Sequence, residues 1–218
     1  DSERSRGLGD VYKRQNIINV IGTSVVNIIL GFMVATAFMS MWISNTATAV
    51  MMLPIALAIV SQLKDNPKTD KNENKIFGKA LMLGIAYSAS IGGVATLIGT
   101  PPNLVLAGVV QESFGYEITF AQWFKFGLPI SIILLFLCWK YITSIAFSFK
   151  QKAFPGGRAE ISKQLNKLGR ISYEEKLVAI VFALTAFAWV TRDNLLKLVV
   201  PVIDDTIIAM ISAVIIFL

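Results

Sequence analysis

Ser44, Asn45 and Thr46 stand together in a run where chemistry is otherwise scarce: between Gln15 and Lys64 there is no Asp, Glu, Lys or Arg. Two hydroxyls and an amide in apolar surroundings need partners, because an unpaired polar group there costs roughly 2–7 kcal/mol. A second set follows in 92–103, where Gly92, Gly93, Thr96, Gly99, Thr100, Pro101, Pro102 and Asn103 interrupt a run uncharged from Lys79 to Glu112. Both sets are rich in neutral oxygens and in helix-breaking residues. A broken helix leaves free carbonyls at one end and free N–H groups at the next. Carbonyl, hydroxyl and amide oxygens suit a cation such as sodium, whereas N–H groups backed by a helix dipole suit an anion. No nucleophile with an adjacent base, carboxylate pair or His/Cys cluster accompanies them: His is absent and Cys138 is the single cysteine. That excludes a disulfide framework and a His/Cys metal site, and leaves no basis for an enzyme.

The elements that must carry these residues are membrane helices. Of 218 residues, 55% are hydrophobic and 16% charged, with positive mean hydropathy, a membrane composition. The formal charge of +6 resides in short loops, as the positive-inside rule requires, and argues against a nucleic-acid partner. Residues 1–15 are charged and aperiodic and lack the apolar core of a secretory signal; they read as a non-native leader or disordered tail. Residues 24–63 read as two helical arms, 25–43 and 47–63, joined at 44–46. The arms form either two full crossings or a re-entrant hairpin, with Ser44, Asn45 and Thr46 as N-cap candidates. Residues 76–113 read as a helix broken at 92–103, with Pro101 and Pro102 in a first turn that needs no N–H donor. Residues 120–148 form the next helix. In 161–176 the spacing of Ile161, Leu165 and Leu168 among Lys163, Lys167 and Arg170 predicts an amphipathic surface helix, or a solvated linker helix. Residues 177–218 open a further set of crossings.

Loop charges alternate in sign. Loop 64–79 has five lysines against three acids, a balance of +2; 112–122 carries −2; 150–176 has seven basic residues against three acidic, +4; and 192–205 is −1. This places 64–79 and 150–176 in the cytoplasm. The break is expected to enter from the opposite side of the membrane and meet the hairpin tip near mid-depth. Helix ends meeting there are a common design for binding substrate and coupling ion in secondary transporters. No acid or base lies inside the segments flanking either break, which favours sodium over proton coupling. The same residue types also serve simply as caps and kinks, so a non-transporting membrane module is the bland alternative.

The run Trp42-Ile43-Ser44-Asn45-Thr46-Ala47-Thr48-Ala49, with Met51-Met52-Leu53-Pro54 after it, Gly92-Gly93, and Gly99-Thr100-Pro101-Pro102-Asn103 together resemble the divalent anion/sodium symporter family. The resemblance runs from about Asn16 to Leu218. It implies an all-α polytopic transporter with a re-entrant hairpin and a broken transmembrane helix, forming the first of two inverted repeats. By that likeness 16–148 is the first-repeat transport region, 149–176 a cytoplasmic linker, and 177–218 the truncated start of the second repeat. Ser44, Asn45, Gly93 and Thr96 are then expected to hold sodium, the coupling ion. Asn45, Thr46, Thr100, Pro101 and Asn103 are expected to hold a dicarboxylate, citrate or sulfate. Expected partners are Na+, the anion, the lipid bilayer of a bacterial inner membrane and a second copy in a homodimer moving by an elevator-like shift. A sodium-independent anion exchanger or an arsenite or citrate carrier of the same broad class is the nearest alternative.

Overall fold

The computed structural model describes residues 24–64, 71–147, 149, 172–200 and 202–217. Among them there are helices and no β-strand. The chain forms α1 (Val25–Ser40), α2 (Asn45–Lys64), α3 (Lys71–Val94), α4 (Pro101–Phe114), α5 (Phe120–Lys140), α6 (Tyr173–Thr191) and α7 (Asp205–Phe217). A π-turn, Tyr141–Ala146, extends α5, and another, Arg192–Leu196, follows α6 and leads into a single turn, Lys197–Val199. The leader and the predicted surface helix lie outside the described residues, except that Tyr173 to Lys176 form the first turn of α6. Among the described residues two helices, Asn72–Val94 and Phe120–Ala146, are long and apolar enough to cross a membrane.

Helix ends follow local chemistry. The Ser44 hydroxyl accepts the Ala47 N–H at 3.3 Å, and its carbonyl accepts the Thr48 N–H at 3.0 Å. Thr119 with Gln122, and Ser172 with Glu175, form reciprocal capping boxes at α5 and α6, each pairing two otherwise orphaned donors. Pro101 and Pro102 occupy the first turn of α4, which ends on Gly115 at φ 67°, a left-handed position that a side chain would strain.

The core lies where α3 meets both arms. Ile29 and Met33 of α1, Met52, Ala56 and Val60 of α2, and Phe77, Leu81 and Ile85 of α3 are buried in one cluster. Gly84 faces Met33 and Ile29, while Gly92 lies against the Ala37 backbone, so α3 runs parallel to α1. Gly78 faces Val60 and Gly93 faces Asn45, so α2 runs antiparallel to both. The break is thus reached from the same end as the hairpin, not from the opposite one. The reason is topological: α2 returns the chain to its starting side before α3 begins. Hydroxyls inside this apolar body bond back along their own helices, Thr36 to the Phe32 carbonyl at 2.7 Å and Thr143 to the Trp139 carbonyl at 2.8 Å, which removes their need for water. The outer faces of α5, α6 and α7 expose large apolar groups, among them Ile132, Phe136, Phe187 and Ile211, as a lipid-facing helix does and a water-facing one does not.

Candidate functional site

Three oxygens converge at the end of α1. Ser40 Oγ lies 2.6 Å from the Ala89 carbonyl of α3 and 2.7 Å from Asn45 Oδ1. A hydroxyl has one proton, so it satisfies only one of these acceptors at full strength. The surplus of lone pairs makes the spot attractive to a small cation. Gly93 lies beside it: a Cβ there would overlap Asn45 Oδ1, so the absence of a side chain is what lets α3 approach the tip. The two carbonyl-bearing ends are also tied directly, through Thr96 Oγ1 donating to the Met41 carbonyl.

The end of α3 leaves carbonyls that hydrocarbon cannot satisfy, and side chains from later helices take them up. Asn103 of α4 uses both amide protons, donating to Gly93 O at 2.9 Å and Thr96 O at 2.8 Å. From α5, Trp123 Nε1 donates to Val94 O at 3.0 Å, and Ser131 Oγ donates to Ile91 O at 2.8 Å. The Ala95 N–H bonds Gly92 O at 3.0 Å within the turn itself. The break is therefore a fixed loop with assigned hydrogen bonds, not a frayed helix end.

Aromatic rings close the side of this loop. Phe120, buried at the start of α5, stacks on Trp189 of α6 with centroids 5.2 Å apart, on Phe124 at 5.9 Å and on Trp42 of the tip at 6.2 Å. Trp42 also meets Phe182 edge-on at 4.8 Å. Leu97 and Ile98 of the break belong to the same apolar cluster. No group of three or more His, Cys, Asp or Glu suited to a metal occurs among the described residues.

Comparison with known proteins decides the family. The model of the sodium:sulfate symporter transmembrane region matches residues 14–218. The chain belongs to the sodium:sulfate symporter family. It is 48% identical over 206 residues to a sodium-dependent dicarboxylate transporter of Staphylococcus saprophyticus, covering 93% of this chain and 40% of that protein. A sodium-dependent dicarboxylate transporter of Staphylococcus aureus strain USA300 is 46% identical over 201 residues, covering 90% and 39%. The chain thus spans about 40% of the length of these relatives. The family is one of integral membrane transporters, not of enzymes.

Within this chain the residues singled out from sequence separate into two groups. Asn45 and Gly93 meet directly. Thr96, fully buried, and Asn103, 7% exposed, turn inward and spend their donors on backbone carbonyls. Ser44, Thr46 and Pro101 are exposed, and Asn45 and Thr100 are half-buried, so the polar groups of the tip and of the first turn of α4 remain open. Ser40 is a residue that sequence reasoning missed. The signal was present, since Ser40 and Ser44 are one helical turn apart in an otherwise apolar arm. Trp123, Ser131 and Phe120 carried no such signal, because their role depends on where α5 packs.

Proposed function

We propose that the full-length protein couples sodium to the symport of a small divalent anion across the bacterial inner membrane, with a dicarboxylate as the first substrate to test. The observation that carries this reading is the cluster of Ser40 Oγ, Asn45 Oδ1 and Ala89 O at the glycine-lined contact between tip and break. It offers neutral oxygens to a monovalent cation, with no acid or base in the segments flanking either break. The names of both staphylococcal relatives, sodium-dependent dicarboxylate transporters, point the same way.

In this proposal Ser40, Ser44, Asn45 and the backbone around Gly93 bind sodium, and Thr96 holds the loop by its bond to Met41. The open polar groups of Asn45, Thr46 and Thr100 receive one end of the anion, with Pro101 shaping the first turn of α4 beside them. Asn103 acts by shaping the break. Residues 24–63 form a re-entrant hairpin: the 16 residues of α1 rise about 24 Å and the apolar part of α2, Asn45–Ser61, about 26 Å, both less than a hydrocarbon core of about 30 Å. Loops 64–79 and 150–176 are cytoplasmic, a second inverted repeat completes the anion site, and the protein is a homodimer in the lipid bilayer with an elevator-like motion. Proteoliposomes holding the complete gene product should take up succinate only under an inward sodium gradient. Equal uptake in choline would refute the coupling and favour the sodium-independent exchanger.

A further inference from the structure

Away from the oxygen cluster, Arg192 is 1% exposed in the π-turn that follows α6. A guanidinium is removed from water at such cost that its partners define its purpose. Its Nη2 donates to Glu117 Oε1 at 2.6 Å, in the link between α4 and α5, and its Nη1 lies 3.2 Å from Asp205 Oδ1 in the first turn of α7. Asp205 Oδ2 in turn accepts the Phe120 N–H at 3.1 Å, so one carboxylate stands at the positive ends of both α5 and α7. The Asp205 carbonyl accepts Trp189 Nε1 at 3.0 Å, the ring that stacks on Phe120.

This knot does more than join α6 and α7 to the rest of the chain. Phe120 is the ring on which Trp42 stacks, with planes 21° apart, and Trp42 precedes Ser44 by two positions. Leu97 of the break lies in the same cluster. A continuous line of contacts therefore leads from Arg192 through Asp205, Phe120 and Trp42 to the tip. We propose that Arg192 is a positioning residue: by holding Asp205 and Glu117 together it fixes Phe120 and Trp42, and so sets how closely the tip and the break face one another. The inference rests on the reading of the tip as an ion and anion site.

The test is uptake by the complete gene product in proteoliposomes, comparing wild type, R192Q, R192K, E117Q, R192E and the charge exchange R192E/E117R. The expected result is at least a fivefold rise in anion KM and in the sodium concentration for half-maximal uptake for R192Q. A smaller rise is expected for R192K, and about threefold for E117Q. The exchange pair should recover part of what R192E loses. Glu117 is half-exposed, so E117Q supplies the answer even where R192Q does not fold. Variants that change only the amount of folded protein, with KM and sodium dependence as in wild type, overturn the proposal. Sodium-independent uptake by the wild type defeats the coupling reading instead, while anion KM across the same variants still decides the role of Arg192.

Discussion

At Gly93 and Gly92, neighbours on one helix, the same added methyl group has two different consequences. A Cβ on Gly93 would run into the side-chain oxygen of Asn45, whereas a Cβ on Gly92 would run into the backbone of Ala37. A side-chain amide can rotate and a backbone cannot. Gly93→Ala should therefore fold while displacing Asn45, raising the sodium requirement for uptake about tenfold, or about 1.4 kcal/mol. Gly92→Ala should instead force α1 from α3, an overpacking cost of roughly 1–3 kcal/mol or more, visible as a lower melting temperature and less monodisperse protein in detergent. Thr48 gives a prediction of opposite sign. Its hydroxyl is fully buried with no hydrogen-bond partner among the described residues, so Thr48→Val removes an unsatisfied group and keeps the shape. The melting temperature should hold or rise; a drop of several degrees would mean that the hydroxyl has a partner after all. Asn45 and Gly93 were legible in the sequence because a polar island and a glycine pair stand out against apolar runs. Ser40 carried a weaker signal, one helical turn before Ser44, and its role becomes visible only when α3 brings the Ala89 carbonyl to it.

At the level of elements, the break in 92–103 was legible from its glycines and prolines, and the helix ends at Val94 and Pro101 fall within it. What the sequence could not show is which donors satisfy the freed carbonyls, because those come from α4 and α5 and depend on tertiary packing. This also explains why Asn103, expected as an anion ligand, is found holding Gly93 O and Thr96 O. Asn103→Leu keeps the volume and leaves two carbonyls unpaired, at roughly 1–3 kcal/mol each. Trp123→Phe frees Val94 O alone. Hydrogen exchange at 95–100 should accelerate strongly in the first variant and modestly in the second, with melting temperatures in the same order. Equal protection in wild type and Asn103→Leu would show that the break keeps its shape by other means.

For the whole molecule, the direction of the helices and the signs of the loops are independent observations. Since α1 and α3 run parallel and α2 antiparallel, the end of α2 and the start of α3 lie at the starting end of α1, and the short link between Phe114 and Phe120 lies beyond α4. In the proposed topology the balances of +2 over 64–79 and −2 over 112–122 place the first in the cytoplasm and the second outside. The tip, bounded by an arm of 16 residues, should then stand within the membrane and not on the far surface. Single cysteines at Asn66, Tyr116 and Thr46 in a Cys138→Ser background test all three placements with an impermeant maleimide. Position 66 should label only in inside-out vesicles and position 116 only in intact cells. Position 46 should label from one side at a time, with sodium and succinate together slowing the reaction at least fivefold. Labelling of position 46 from outside at the speed of position 116, unaffected by either solute, would make the hairpin two full crossings and move the oxygen cluster to the surface, where hydrated sodium has little reason to bind it.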